Sequence, residues 1–371
     1  MRTLHIDTER TWRGGEQQAF SLMTGLIRSG HFAEAVCRRD GELCGSLRDA
    51  GINALAIKPR GEYDPLAAAR IAGFMLARRH EIIHAHTSHG HALAQLARLV
   101  AAPFTNRLPP LVVSRRVDFS THRLPFNLNL LKYRFGTARF IAVSTRVRDV
   151  LVDDGVPREL ISIVPSSADL RRFEGVSAGG LREEFAVSPS ARIIVNVGSL
   201  VGHKSQVDLV RAMRLVIERV PDVMCIIVGE GPQRGRIESE IRRLDLSKRV
   251  ILAGFRRDAI RFTKLCDVFA VSSEMEGLCS CILEAFALSR PVVSTRGGGI
   301  PDIVTNGVNG ILVPTRDPDA LARGIIRLLE DPSLAQQYAA EGRRTVENKF
   351  TAERMTASTL AVYREVLRQP P

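Results

Sequence analysis

Aromatic residues and long hydrophobic runs are scarce in this sequence. Aromatic side chains make up only 5% of its 371 residues. No nucleic-acid-binding module is apparent either, so nucleic acid is not expected as a partner. No segment reaches the ~18 apolar residues that a membrane-spanning helix needs. The first residues, MRTLHIDTERTW, also lack the apolar core of a signal peptide. These absences predict a cytoplasmic protein, one that could still bind the inner face of a membrane peripherally.

Cysteine is also infrequent, and its spacing excludes common redox and metal motifs. None of the six cysteines belongs to a C-x-x-C motif. Cys225 and Cys266 lie in apolar, strand-like runs and are predicted to be reduced thiols in the core. A chain of this length can build large hydrophobic cores, so a disulfide framework is not expected.

Acidic residues are outnumbered by basic ones. The chain has 52 Lys and Arg against 40 Asp and Glu, a formal net charge of +12. This balance favours anionic partners such as nucleotides or an anionic membrane surface. The segment 124–135, LPFNLNLLKYRF, mixes Leu and Phe with basic residues. It fits an interfacial membrane helix, and an ordinary core helix with basic flanks equally well.

Short apolar runs alternate with amphipathic stretches along the whole chain, which predicts parallel strands joined by helical crossovers. The fold class is therefore α/β, and the length suits two doubly wound, Rossmann-like domains facing a central cleft. We predict an N-terminal domain over 1–172 and a C-terminal domain over 178–350, with a linker at Asp169–Gly180. A last helix over 351–369 could pack back onto the first domain. The predicted strands are Leu4–Ile6, Ala33–Cys37, Ala54–Ile57, Ile82–Ala85, Leu111–Val113, Phe140–Val143, Ile161–Val164, Ile193–Val197, Met224–Val228, Val250–Leu252, Val268–Val271, Pro291–Thr295 and Gly310–Val313.

Histidines and arginines follow strands of the first half. IIHAHTSHGHA holds four histidines, but no acid lies nearby, so hydrogen bonding to a ligand is favoured over metal binding. On a strand His84 and His86 share a face, and one of them is expected to line the cleft. Arg115 and Arg116 follow the next strand, where one could face a phosphate while the other is solvated. Asp317 of a D-x-D sequence is better explained as a helix cap than as a metal ligand.

Two glutamates mark the second half. Glu276 lies in a Gly-containing loop after an apolar run, and Glu284 lies within the following helix. Free N–H groups at a helix N-terminus form an anion site. Lys204, which follows another strand and a Gly-bearing loop, could neutralise a pyrophosphate. VGEGPQRG departs from the G-x-G-x-x-G spacing, which disfavours a dehydrogenase.

Taken in order, these segments resemble a known family. RGGEQQ, HAH, VGSLVGHKS, VGEGP, the spaced glutamates, GGGIPDIV and GVNGILVP are similar to the retaining GT-B glycosyltransferases of the group-one, family-four lineage. The opening HIDTERTWRGGEQQ and SRRVDF most resemble bacterial members that build lipopolysaccharide or related cell-surface glycans. The resemblance implies transfer of a hexose-like sugar from a UDP- or GDP-sugar donor to a glycolipid or saccharide acceptor, with retention and without a metal or cofactor.

The resemblance also implies roles for individual residues. Glu276 would lie near the transferred sugar, Glu284 would hold the ribose and Lys204 would neutralise the diphosphate. Gly15 would abut the diphosphate and His86 would contact the donor sugar. Lys204, Glu276 and His86 are thus the catalytic candidates, and Arg115 and Arg116 the acceptor or phosphate candidates. The donor-binding candidates are Gly15, Gly198, His203, Lys204, Gly229, Phe255, Glu276, Gly277, Leu278, Cys279, Ser280 and Glu284.

Several positions depart from the family pattern. The family often has Arg where Ser199 stands, and Gly is usual at Cys279, Ser205 and Ser167. With Ser199, one phosphate charge is missing unless His203 or a nearby Arg substitutes. Cysteine at 279 adds bulk beside the sugar and puts the donor identity in doubt. Two alternatives remain: a nucleotide-sugar epimerase of the same fold, and a non-catalytic nucleotide-sugar-binding partner. An epimerase would consume donor without an acceptor, whereas a binding partner would show no transfer.

Overall fold

A computed structural model of the chain describes residues 1–120, 133 and 136–368. The chain forms two compact units. Unit 1 comprises Met1–Ser166 together with the C-terminal residues from Ala352 onward, and unit 2 comprises Ser167–Thr351. The segment 124–135, for which a membrane helix was one interpretation, lies outside the described residues apart from Tyr133. Among the residues described, no helix is both long and apolar enough to cross a membrane.

The sheet of unit 1 has seven parallel strands in the order β3-β2-β1-β4-β5-β6-β7. Its strands are β1 (Arg2–Asp7), β2 (Phe32–Arg38), β3 (Ala54–Ile57), β4 (Ile82–Ala85), β5 (Leu111–Arg115), β6 (Arg139–Ala142) and β7 (Ile161–Ile163). The order reverses between β1 and β4, which pair with His5 opposite His84. In doubly wound sheets, ligands bind beyond the carboxyl ends of the strands at such a reversal.

Unit 2 repeats this plan with six parallel strands in the order β10-β9-β8-β11-β12-β13. They are β8 (Arg192–Val197), β9 (Val223–Val228), β10 (Val250–Gly254), β11 (Val268–Val271), β12 (Val292–Thr295) and β13 (Ile311–Val313). Here the order reverses between β8 and β11. All thirteen strands in the described part of the chain were predicted, because most of them are buried on both faces and read as continuous apolar runs.

Helices connect the strands of each unit. In unit 1 they are α1 (Gly14–Arg28), α2 (Glu42–Asp49), α3 (Pro65–Ala77), α4 (Ser88–Ala101), α5 (Thr145–Asp153) and α13 (Ala352–Arg368). In unit 2 they are α6 (Leu181–Glu184), α7 (Gln206–Arg219), α8 (Arg234–Arg243), α9 (Ala259–Leu265), α10 (Ser280–Ala287), α11 (Pro318–Glu330) and α12 (Pro332–Lys349). Short 3₁₀ turns occur at Ala102–Phe104, Arg158–Leu160, Leu170–Phe173, Gly202–Lys204 and Ile300–Asp302.

Each unit has its own hydrophobic core. In unit 1, buried side chains of α1 and α13, among them Leu26 and Tyr363, pack with strand residues such as Cys37 and Ile82. In unit 2, α7 and α11 cover the sheet with residues that include Met213 and Ile325. Burial of these apolar faces is the main stabilising contribution in both units.

The two units divide close to the predicted linker. The division falls between Ser166 and Ser167, a few residues before the predicted boundary at 172, and 169–180 lies in unit 2. The Ala168 N–H donates to the Phe350 carbonyl at 2.8 Å, which pairs the two ends of unit 2. Within 169–180 the chain forms the 3₁₀ turn Leu170–Phe173, in which Phe173 is buried.

The cysteines also bring a correction. Cys37 of β2 and Cys44 of α2 form a disulfide, with their Cα atoms 5.5 Å apart. No disulfide framework was expected. Cys225 and Cys266 are free and buried, as predicted.

Candidate functional site

The two main candidates of unit 2 follow the strands that flank the order reversal. Lys204 ends the 3₁₀ turn after β8, and Glu276 lies in the loop after β11. These strands are neighbours in the sheet, so their carboxyl ends bring the two loops together. The Glu274 N–H donates to the His203 carbonyl at 2.8 Å, and the Ser272 hydroxyl donates to the Lys204 carbonyl at 3.0 Å. The sheet topology therefore assembles this site from residues far apart in sequence.

Lys204 and Glu276 form an ion pair through Nζ and Oε1. The same carboxylate oxygen accepts a hydrogen bond of 2.7 Å from the Ser273 hydroxyl. The side chains are 20% and 9% exposed. Burial alone would lower the pKa of the Lys204 ammonium, but the Glu276 carboxylate outweighs it and the net shift is upward. Lys204 is thus a fixed positive charge within reach of solvent.

Helix α10 begins directly after this loop. Its N-cap residue is Cys279, whose backbone is left-handed at φ 66°, and no side chain caps the first turn. The first N–H groups of a helix have no acceptors within the helix and attract anions. Leu278 and Cys279 are buried, whereas Gly277 and Ser280 are partly exposed. An uncapped helix N-terminus therefore lies at the end of the loop that carries Glu276.

Glu284 lies one turn further along α10. Its carboxylate is 3.9 Å from the Arg172 guanidinium, with its side chain 28% exposed. Burial raises the pKa of Glu284, and Arg172 partly opposes that shift. Arg172 was not predicted as a site residue. The basic pair in DLRRF is the sequence feature that could have indicated it. A carboxyl held in this way can accept hydrogen bonds from hydroxyl groups.

Some glycines of unit 2 are required by backbone packing within the protein. Gly229 has a φ of 147°, and a Cβ there would collide with the Gly198 carbonyl. At Gly297, a Cβ would collide with the Ser273 carbonyl. At both positions the absence of a side chain lets two backbone segments of the protein come into close contact. By contrast, a Cβ at Gly198 would touch only the far end of the Gln206 side chain.

The remaining donor candidates lie at the surface. His203 is exposed in the turn before Lys204. Phe255 follows β10 and is 59% exposed. An exposed aromatic ring at a strand's carboxyl end is available for stacking.

In unit 1, His86 and Arg116 meet at the reversal between β1 and β4. Arg116 Nη2 donates to His86 Nδ1 at 3.0 Å, and a Cβ on Gly15 would lie 3.9 Å from Arg116. Because arginine can only donate, the neutral His86 carries its proton on Nε2 and donates to His5 Nδ1 at 2.9 Å. His5 Nε2 then donates to the Thr3 hydroxyl at 3.0 Å.

The histidines themselves are buried and neutral. Burial, followed by nearby cations, lowers the pKa of His5 to about 3 and that of His86 well below its usual value. His84, opposite His5, bonds the Tyr363 hydroxyl at 2.6 Å and the Ser114 hydroxyl at 2.8 Å. His84 thus belongs to the core, and His86 is oriented by Arg116.

This cluster is also the part of the described chain where three metal-ligating side chains converge. His5, His84 and His86 each offer a ring nitrogen within 4.8 Å of the others. A metal on His86 Nε2 would require its proton to move to Nδ1, which faces the Arg116 guanidinium. The Nδ1–H of His86 would then face an N–H of Arg116, which is unfavourable because both groups are donors. A series of hydrogen bonds among these side chains therefore explains them better than a metal site does.

The two arginine candidates differ sharply. Arg115 is buried and donates to the Tyr133 hydroxyl at 2.8 Å and the Phe119 carbonyl at 2.6 Å. The prediction that one arginine is solvated and the other faces a phosphate is therefore wrong for Arg115. This side chain is buried and its hydrogen bonds are made within unit 1. Arg116 is partly exposed and stays a candidate. Asp7 and Glu16, whose charges act on Arg116, were missed.

Known families match both units. The model of "Glycosyltransferase Family 4" matches residues 12–172, and that of "Glycosyl transferases group 1" matches residues 181–345. The chain belongs to the group 1, family 4 glycosyltransferases. Its predicted enzyme class is thereby confirmed.

Individual relatives support this assignment. The glycosyltransferase is 26% identical over 326 residues to N-acetyl-alpha-D-glucosaminyl L-malate synthase of Bacillus anthracis, covering 87% of this chain and 84% of the relative. It is 29% identical over 248 residues to the lipopolysaccharide core biosynthesis glycosyltransferase LpsE of Rhizobium meliloti (strain 1021), covering 67% and 68%.

Anabaena HepE, solved with UDP and glucose, has a TM-score of 0.85 at 23% identity, covering 98% of this chain and 99% of HepE. The predicted GT-B fold is confirmed by this likeness.

Proposed function

We propose that this glycosyltransferase moves a hexose-like sugar from a UDP- or GDP-sugar to a glycolipid or saccharide acceptor in cell-surface glycan synthesis. The observation that carries the proposal is the Lys204–Glu276 pair beside the N-terminus of α10. The relatives support the substrate classes: one is a lipopolysaccharide core enzyme, and HepE was solved with UDP and glucose.

In the proposed reaction, the acceptor hydroxyl oxygen bonds to the anomeric carbon as the bond from that carbon to the phosphate oxygen breaks. The leaving phosphate takes the acceptor's proton, and attack on the face of departure retains configuration. Lys204 and the amides of α10 would stabilise the charge that develops on the diphosphate. Glu276, held by Ser273, would release Lys204 to the phosphate and bond the sugar hydroxyls.

We propose no metal for this reaction. A lysine ammonium and a helix N-terminus together supply the positive charge that a divalent cation provides elsewhere. Transfer should therefore persist in excess EDTA, and its loss on chelation followed by recovery with Mg²⁺ or Mn²⁺ would contradict this part of the proposal.

The decisive variant is Lys204→Met, which removes the charge and keeps the length. We expect kcat to fall by ~10²-fold or more, because stabilisation of the leaving group is lost. UDP binding, measured by titration calorimetry, should weaken as well. Lys248→Met is the matched control, because Lys248 is an exposed lysine of the same unit. An unchanged kcat for transfer in Lys204→Met would contradict the proposal.

Removing Lys204 also leaves Glu276 buried without its partner, which can destabilise the fold. The double variant Lys204→Met/Glu276→Gln removes both charges and should restore stability while staying inactive. Recovery of transfer in the double variant would show that folding, and not catalysis, was lost.

The transfer assay, run with and without acceptor, also distinguishes the two alternative functions. An epimerase would convert the nucleotide sugar without acceptor, and a binding partner would bind UDP without any turnover. The anomeric configuration of the product, read by NMR from the coupling at the new linkage, tests retention.

A further inference from the structure

Two cysteines lie side by side at the start of α10. The Sγ atoms of Cys279 and Cys281 are 3.4 Å apart. Cys279 is buried and Cys281 is partly exposed. By contrast, Cys225 and Cys266 are buried, free thiols whose pKa values burial raises to about 12. The pair at α10 therefore differs from the core thiols in both proximity and access.

The two thiols are chemically unequal. The hydrogen bond with Cys281 is the main cause that raises the pKa of Cys279, and burial adds to it. Either sulfur can donate in this contact, and Cys279 is the more deeply buried of the two. Cys281 also lies in the first turn of the eight-residue helix α10 and is the more accessible sulfur of the pair. The positive charge of Lys204 acts on both sulfurs.

We propose that Cys279 and Cys281 form an oxidation-sensitive pair that switches off donor binding. The Cys281 thiolate attacks a peroxide oxygen, the O–O bond breaks, and water leaves with a proton taken from solvent. Cys279 sulfur then attacks the resulting sulfenic acid, the S–S bond forms and a second water leaves. The two thiols lose two electrons and the peroxide gains them, so the reaction balances.

Disulfide formation would alter the donor-binding elements directly. A disulfide bond is ~2.05 Å long, so the sulfurs must approach by more than 1 Å from their separation of 3.4 Å. Cys279 is the N-cap of α10 and follows the loop of Glu276. Its movement would shift the amides that the proposed function assigns to the diphosphate, and this consequence rests on that function. A dithiol reductant would reverse the change.

The test treats the full-length protein with hydrogen peroxide, then divides the sample for peptide mass analysis and UDP titration. The tryptic peptide that contains both residues should lose the mass of two hydrogen atoms. The Kd for UDP should rise by about tenfold or more, and dithiothreitol should restore it. Cys281→Ser should bind UDP like the untreated protein and keep that affinity after peroxide.

A second variant isolates the first chemical step. Cys279→Gly removes the resolving sulfur and supplies a residue that tolerates the left-handed backbone at this position. The sulfenic acid on Cys281 should then persist and be trapped by dimedone. This variant also keeps the assay informative should Cys281→Ser fold poorly.

Two outcomes would overturn the switch. One is a peptide that keeps both thiols after peroxide, with no dimedone adduct in Cys279→Gly. The other is an equal loss of UDP affinity in Cys281→Ser, which would place the sensitive group elsewhere in the protein. Failure of the proposed function is distinct: the reduced protein would bind neither UDP nor GDP, whereas the peptide mass would still report the pair.

Discussion

The carboxyl group of Asp7 lies at the carboxyl end of β1, where the order of the unit 1 sheet reverses. Its Oδ1 accepts the Glu9 N–H at 3.1 Å, and in the part of the chain described its buried Oδ2 has no hydrogen-bond partner. Burial raises the pKa of Asp7 to about 7, and Glu16 adds to the shift, while the Glu9 N–H and Arg116 oppose it. Asp7 is thus a buried acid that titrates near neutral pH.

This shift predicts a pH-dependent stability. An unfolded aspartate titrates near pH ~3.9, so between that value and about 7 the folded state keeps a proton that the unfolded state has released. Stability must therefore fall as pH rises through this window, by roughly 1.4 kcal/mol per pKa unit. Asp7→Asn keeps an oxygen acceptor and removes the titration.

The measurement is urea unfolding of the two proteins from pH 5 to pH 8. The stability of Asp7→Asn relative to the natural chain should increase with pH up to about 7 and then level off. Asp153→Asn, at an exposed position of α5, is the control for removing a carboxylate. A constant difference between Asp7→Asn and the natural chain would contradict the raised pKa of Asp7.

At the scale of the elements, the loop after β9 depends on a single glycine. Gly229 has a φ of 147°, and a Cβ there would enter the Gly198 carbonyl. Gly229→Ala should destabilise the protein by more than about 2 kcal/mol, because both the backbone conformation and the overlap are unfavourable. It should also weaken UDP binding, since Gly198 belongs to the loop that leads to Lys204.

Gly235 provides the matched control. It lies in α8, and a Cβ there would meet nothing within 4 Å. Gly235→Ala should stabilise the protein by up to ~1 kcal/mol, as expected for alanine in a helix. Thermal unfolding of both variants tests the contrast, and similar melting temperatures would refute the role given to Gly229.

The elements themselves were largely readable from the sequence, and the exceptions have physical causes. Apolar runs revealed the strands because both faces of each sheet are covered. Helix α2 gives a weak sequence signal, because it is short and its N-cap, Gly41, offers no capping side chain. Whether Arg115 or Arg116 points inward was also undetermined, because it depends on where β5 ends. The family resemblance supplied the pairing of Lys204 with Glu276, which local patterns cannot show.

Two departures from the family pattern now have a structural meaning. Gly is usual at Cys279 and Ser205, and both residues have left-handed backbones, with φ of 66° and 48°. The sequence therefore replaces glycine at positions where glycine is the least strained residue. At Cys279 the replacement adds a thiol beside Cys281, and at Ser205 it adds a hydroxyl that donates to Glu274 at 2.6 Å. The roles predicted for the donor-site residues remain predictions until variants are measured.

At the scale of the whole molecule, the chain enters unit 2 after Ser166 and returns to unit 1 at Ala352. The returning helix α13 packs on α1 so closely that a Cβ on Gly25 would overlap the Thr356 hydroxyl. Tyr363 is fully buried and bonds His84, 279 residues away in sequence. Unit 1 therefore needs the last helix of the chain to complete its core.

Truncation after Thr351 tests this dependence. Removing α13 would expose the apolar surface of Leu26 and its neighbours, so we expect unit 1 to lose most of its stability. Hydrogen exchange should increase in β1, β2 and β4, whereas β8, β9 and β11 should keep their protection, because the core of unit 2 is built from its own residues. Tyr363→Phe, which removes only the hydroxyl, should cost about 1–3 kcal/mol and raise exchange less. Equal loss of protection in both sets of strands would mean that the two units unfold as one, and α13 would then stabilise the entire chain.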